Sequence, residues 1–371
     1  VVDSPTHMNT APRPVALFVL GAQRSGTSAI TRVLSLCGGT LPASLVGADQ
    51  ANPSGFWEPR KAIDVNEAIL YRKGSSWADP IPRLQQKGRF DGDQNHASVA
   101  EIAAFLSTMP AASLLIIKEP RITVLSDIWF EAARRTQHDV MAVIAVRHPQ
   151  EVAASLAAHG RVSPQLAGAL WLKYSLLAER QTRRLPRVFV DYSNLLGNWR
   201  REITRISTML AIDLNDDNDN AIDTFLEPNL RRQHYRGPVK DMFGTDWMST
   251  VYQALSALAR DDPLDESVLD AVFEAYRTST IDFRAMFEDF DNHFNSTLLR
   301  TLFPPFISRR VRAATALATR MGVSPHRLGP IANFQPARRR LAPAKPYSSR
   351  PVPSPSEPMT REAHKSGHGF L

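Results

Sequence analysis

Cysteine is almost missing from this sequence: Cys37 stands alone, so no disulfide can form within the chain. That excludes a disulfide-stapled scaffold and suits a reducing compartment, so a cytoplasmic location is expected. Long apolar runs are missing too. The run VALFVL at residues 15–20 falls far short of the roughly 18 residues that cross a bilayer, and it lacks the flanks of a signal peptide. Lysine is scarce: 36 of the 44 basic residues are arginine, a bias that goes with a GC-rich, bacterial genome. Acidic residues number 37, which leaves a formal charge of +7. An excess of that sign admits nucleic acid, an anionic membrane or a small anionic ligand as partner. Apolar residues, by contrast, make up 43% of 371 positions, enough for one large core or two modest ones.

Apolar runs at residues 15–20, 113–117 (SLLII), 140–146 (VMAVIAV) and 187–190 read as buried strands. Helical spacing separates them, at residues 27–36, 122–136, 151–158 and 165–182. Alternating strands and helices predict an α/β fold with a central parallel sheet. From about residue 198 to 320 the pattern is mostly helical and is expected to layer onto the same core. The chain therefore divides into a flexible lead-in at 1–13, an α/β core at 14–236, a helical extension at 237–330 and a disordered, basic, Pro-rich tail at 331–371.

The first strand runs into LGAQRSGTSAI. A nucleotide-binding P-loop reads G-x-x-x-x-G-K-[ST]. Gly21, Gly26 and Ser28 fit that spacing, but Thr27 occupies the lysine slot. Ligands of open parallel sheets bind beyond the carboxyl ends of the strands. Those ends here carry Arg24, then Lys118 and Arg121, then Arg147. Cations gathered at one edge, above a helix N-terminus, suit an anion with several phosphates. In the stretch VRHPQEVAASL, Arg147 and Ser155 flank the start of a helix, where a guanidinium and a hydroxyl can hold one more phosphate. The plainer alternatives are a glycine turn with solvated arginines and a rim lysine at 118.

GAQRSGTS followed by R-x₇-S resembles the sulfotransferases that use PAPS (3′-phosphoadenosine 5′-phosphosulfate), over about residues 15–236. The resemblance implies a P-loop-like three-layer sandwich without a Walker lysine. It implies that Arg24, Ser25, Gly26, Thr27 and Ser28 grip the 5′-phosphosulfate, and that Arg147 and Ser155 grip the 3′-phosphate. VFVDYSNLL is similar to the family's strand ending in Tyr-Glu-Asp-Leu, which puts Tyr192 near the adenine; Ser193 and Asn194 depart from that pattern. NPSGFWEPRKAIDVNEAIL resembles the substrate-side segment of bacterial, carbohydrate-type members. Glu58 in it matches their general base, with His159 and His96 as weaker alternatives and helix capping as the plain reading. Arg24 would stabilise the leaving phosphate, with Lys118 in support, and no metal is expected. The acceptor would be a carbohydrate, glycolipid or other alcohol. Trp57, Phe56 and Trp77 are candidates for a wall on which a sugar stacks, or else for core packing.

Two rival classes remain. A P-loop kinase or NTPase would use Asp191 as its Walker B aspartate and would require magnesium. A basic surface-binding protein would use Arg309, Arg310 and Arg312 on an amphipathic helix, which also allows peripheral contact with anionic membrane. Nucleic acid is not an expected partner.

Overall fold

Residues 15–20 are buried almost without interruption, as befits a strand with neighbours on both edges and helices on both faces. The computed structural model describes residues 13–48, 52–82, 84, 93–160, 162–215, 217–226 and 233–280. In it, β1 (Val15–Leu20) lies between β2 (Leu114–Ile117) and β3 (Asp139–Val146), with β4 (Arg187–Asp191) beyond β3. The sheet order is β2-β1-β3-β4 and every pairing is parallel.

Side chains alternate across β1, so Leu17 and Val19 enter one core while Ala16, Phe18 and Leu20 enter the other. The first core is closed by α1 (Thr27–Leu36), α7 (Tyr192–Gly197), α8 (Trp199–Leu210) and α9 (Asp219–Phe225). The second is closed by α2 (Arg60–Arg72), α3 (Asp93–Leu106), α4 (Ser126–Arg135), α5 (Pro149–Gly160), α6 (Pro164–Thr182) and α10 (Trp247–Leu258). Residues 266–280 are also helical, and their Leu269, Val272, Phe273 and Tyr276 join that same core. The Tyr276 hydroxyl donates to the Pro80 carbonyl at 2.7 Å. The helical segment after residue 236 is thus layered on the sheet as far as residue 280.

Two details differ from the sequence pattern. The helix expected over 122–136 is split into a 3₁₀ turn, Pro120–Thr123, and α4. The turn is pinned under the first loop, because Thr123 Oγ1 accepts from the Gly21 amide at 3.2 Å. Helix α3 is missed by hydrophobic spacing, since polar residues and alanines dilute its apolar face. The basic segment at Arg309, Arg310 and Arg312, the lead-in before residue 13 and the tail from 331 lie outside the described residues.

Connections leave β1 toward β2 on one side, while β3 and β4 lie on the other. The carboxyl ends of β1 and β3 therefore open a crevice of the kind in which ligands of such sheets bind. Gly21 is the first residue past β1. Its φ of +124° and its approach to β3, where a Cβ would sit 2.9 Å from the Ala145 carbonyl oxygen, leave room for glycine alone. Gly21→Ala is expected to lower stability by about 1–3 kcal/mol through overpacking and backbone strain. Urea unfolding measures it, and a loss below about 0.5 kcal/mol, the scatter of a neutral surface change, would refute the constraint.

Candidate active site

The loop after β1 ends at Gly26, which N-caps α1 in the left-handed conformation without any side-chain cap. The first N–H groups of α1 are therefore not claimed by a capping side chain and suit an anion. Gly26 also lies against the Tyr192 ring, where a Cβ would come within 2.4 Å of a ring carbon. Arg24 sits at φ +68°, an unusual conformation for a residue with a side chain. That turn sends its Nε to the Ser155 hydroxyl at 3.0 Å and presents its carbonyl to Arg147 NH1 at 2.9 Å. Helix α5 begins at Pro149, which places Ser155 on its inner face.

Arg147 is held from every side. Its Nε donates to Glu151 Oε2 at 2.9 Å, its NH2 to the Gln233 carbonyl at 3.3 Å, and its guanidinium lies 4.7 Å over the Tyr192 ring. Glu151 is buried, and its second oxygen accepts from the Tyr235 amide at 3.0 Å. The sequence-named residues Arg24, Gly26, Arg147, Ser155 and Tyr192 thus meet in one cluster. Glu151 is the member that motif reading missed, although its spacing of four residues from Arg147 on a helix was the available signal.

A second cluster stands beside it. Lys118 is 2% exposed at the end of β2 and is not a rim residue. Its ammonium donates to Glu58 Oε1 at 2.5 Å, to the Phe56 carbonyl at 3.1 Å and to Ser28 Oγ at 3.2 Å. Ser28 also receives Asn52 Nδ2 at 3.4 Å, and the same amide donates to the Gly55 carbonyl at 2.7 Å. Trp57 takes φ +59°, a costly conformation for a bulky residue, and it turns Phe56 and Glu58 to the same ammonium. Glu58 does not cap α2: the N-cap is Pro59, with no side-chain bond.

Beneath the floor lies a buried network that the sequence did not reveal. Arg121 pairs with Glu67 and Glu119, Asn66 Nδ2 donates to Glu119, and Trp129 Nε1 donates to Asn66 Oδ1 at 2.8 Å. Burial pushes the Glu119 carboxyl above its ordinary range, against the pull of Arg121. Burial acts to lower the Arg121 guanidinium, but the two carboxylates outweigh it and hold it protonated.

Both clusters face one cleft of about 780 Å³. Its lining includes Arg24, Gly26, Thr27, Arg147 and Tyr192 of the first cluster, Ser28, Glu58 and Lys118 of the second, and Asn52, Phe56, Arg60, Asp64, Trp77 and Arg121. Ser25 and Ser155 are buried behind the wall. Of the three aromatics proposed as a stacking wall, Phe56 and Trp77 line the cleft, whereas the Trp57 ring carries the Arg32 guanidinium at 4.6 Å. No histidine lines the cleft among the described residues. His148 stacks between Tyr235 and Tyr252, His96 is exposed on α3, and the side chain of His159 lies outside the described residues. Asp191 Oδ1 caps α7 by accepting from the Ser193 amide at 2.7 Å, on a strand separated from β1 by β3. It is spent on structure and does not reach the cleft as a magnesium ligand would. Among the described residues no group of three His, Cys, Asp or Glu side chains forms a metal site, and no helix is long and apolar enough to cross a membrane.

No family model matches the sequence, and no curated protein matches it at a significant level. Solved structures that are similar over part of the chain include two sulfotransferases. One is the sulfotransferase domain of an olefin synthase from Synechococcus PCC 7002, with 19% identity, a TM-score of 0.38, and coverage of 68% of this chain and 98% of that one. The other is a sulfotransferase from Mycobacterium tuberculosis H37Rv, with 18% identity, a TM-score of 0.30, and coverage of 57% and 72%. Likenesses this distant assign neither an activity nor a ligand to the present chain.

Removing one partner of a buried ion pair strands the other. Lys118→Met alone is therefore expected to destabilise the fold by about 3–5 kcal/mol, and adding Glu58→Gln should recover part of that loss. Urea unfolding of the two single variants and the double variant checks it; strictly additive losses would mean the pair does not couple.

Proposed function

We propose that this chain is a sulfotransferase that moves a sulfuryl group from PAPS to an acceptor hydroxyl, without a metal. The observation that carries the reading is a lysine-free phosphate loop whose Arg24 is tied to both Ser155 and Arg147, the pair that would read a 3′-phosphate. The donor set fits such a ligand. Cations stand in both clusters, Arg24 with Arg147 in one and Lys118 in the other, which suits a ligand that carries more than one anionic group. A γ-phosphoryl group would demand magnesium and a loop lysine, whereas Thr27 fills that slot and Asp191 is a helix cap.

When bound, PAPS supplies the sulfuryl group and a phosphate leaving group. The chain supplies the rest. The amides at the start of α1, with Thr27 and Ser28, donate to the 5′ end, and Arg24 neutralises charge where the leaving phosphate forms. Lys118 fixes Glu58 through Oε1 and so leaves Oε2 for the proton of the acceptor hydroxyl. Because Lys118 also holds Ser28, the base and the donor loop keep a common register. Arg147, oriented by Glu151, selects a 3′-phosphorylated nucleotide over ATP.

Two measurements bear on this. Arg147→Ala should weaken binding of adenosine 3′,5′-bisphosphate by about tenfold to a hundredfold, the worth of charged hydrogen bonds, and leave 5′-AMP nearly unchanged. Calorimetry with both ligands reads it, and equal losses would remove the 3′-phosphate role. Glu58→Gln should keep bisphosphate affinity and cut turnover of labelled PAPS by about 10²–10⁴-fold, the share of a general base. Undiminished turnover would return Glu58 to a structural role.

A further inference from the structure

Residues 73–82, which follow α2, contain no helix or strand, yet their Trp77 lines the cleft. Trp77 also lines a separate void of about 10 Å³, together with Ala22, Gln23 and Tyr174. A space that small holds one water at most, so Trp77 stands against the loop that follows β1. Side chains from distant helices take the carbonyls of this segment. The Tyr174 hydroxyl donates to the Trp77 carbonyl at 3.0 Å, the Lys173 ammonium to the Asp79 carbonyl at 2.7 Å, and the Tyr276 hydroxyl to the Pro80 carbonyl at 2.7 Å. Lys173 and Tyr174 belong to α6 and Tyr276 to the helix at 266–280, and all three are buried. The Asp79 carboxylate turns the chain between them, accepting from the Ser75 hydroxyl at 2.9 Å and the Ile81 amide at 3.0 Å. Burial pushes both phenols above their ordinary range, so they remain donors.

We propose that Tyr174 and Tyr276 are positioning residues of the cleft: their hydroxyls hold the chain at Trp77 and Pro80 and so set the indole against the loop after β1. The inference makes the helix at 266–280, which carries none of the phosphate-binding motifs, a working part of the site. It rests on the sulfuryl-transfer reading only for what the cleft does. A segment with no ladder of its own has no other means of fixing its path, because a buried carbonyl must find a donor. Two donors from elements far apart in sequence converge here within four residues. Burial of the two rings serves the core, whereas the hydroxyls serve the wall. Losing one hydroxyl leaves a carbonyl unsatisfied or makes the segment move toward another partner. A displacement of about 1 Å at a reacting site costs up to about a hundredfold in rate.

The test uses the full chain labelled with 5-fluorotryptophan, the Trp77 fluorine resonance being identified by its loss in Trp77→Phe. Tyr174→Phe and Tyr276→Phe each keep the buried ring and remove one donor, and either suffices should the other fail to fold. Val272→Ala, a core position on the same helix as Tyr276, is the control for lowered stability alone. At a temperature where every variant is folded, both tyrosine variants should shift or broaden the Trp77 resonance, and Val272→Ala should not. Turnover of labelled PAPS should fall about tenfold or more in the tyrosine variants. Affinity for adenosine 3′,5′-bisphosphate should stay within about twofold, below what the loss of a single hydrogen bond to it would produce. A Trp77 resonance indifferent to both hydroxyls overturns the inference, as does an equal change in Val272→Ala or turnover within about twofold of the unsubstituted chain. If the unsubstituted chain does not turn over PAPS, the donor reading fails, and the Trp77 resonance alone then judges the wall.

Discussion

One buried ammonium group ties together three of the segments that surround the cleft. Lys118 leaves the sheet at the end of β2 and is removed almost wholly from solvent, where a charge survives only if its donors are satisfied. It has three donors, and three oxygens meet them: the Glu58 carboxylate, the Phe56 carbonyl and the Ser28 hydroxyl. Those oxygens belong to the approach to α2, to the loop before it and to the first turn of α1. The requirement to neutralise and hydrogen-bond one cation thus fixes the loop after β1 against the segment that leads into α2. The left-handed conformation of Trp57 is a local expense of that arrangement.

The Arg147 cluster follows a parallel logic with a guanidinium. Arg147 takes the Glu151 carboxylate, the carbonyls of Arg24 and Gln233, and the face of Tyr192. Its planar fork lets one side chain read several fixed acceptors at once, which lysine could not do. Glu151 also holds the Tyr235 amide, so the segment from residue 233 is tied to the start of α5 through the same carboxylate. The cluster joins the loop after β1, the start of α5 and the segment from residue 233 through two charged side chains.

Much of this was legible in the sequence, for identifiable reasons. The four strands are apolar runs bounded by turn residues, and the parallel sheet follows from the helices between them. Helix α1 spans residues 27–36 as its spacing predicts, because Gly26 and Gly38 punctuate both ends. Strand-end reasoning brought Arg24, Lys118 and Arg147 to one edge, since a parallel sheet aligns all its carboxyl ends. What stayed hidden is long-range pairing. Glu58 touching Lys118 spans 60 positions, and the Glu119–Arg121–Glu67 network with Asn66 and Trp129 joins three elements; no local pattern encodes either. The outward turn of Trp57 was equally invisible, because it depends on a backbone angle rather than on composition.

Arg24 has a consequence for how this protein can change. Its left-handed backbone would be relaxed by glycine, which takes positive φ without steric cost. Here the relaxed variant would forfeit the guanidinium that bonds Ser155. Relief of backbone strain and retention of the tie between this loop and α5 therefore pull in opposite directions at this one position.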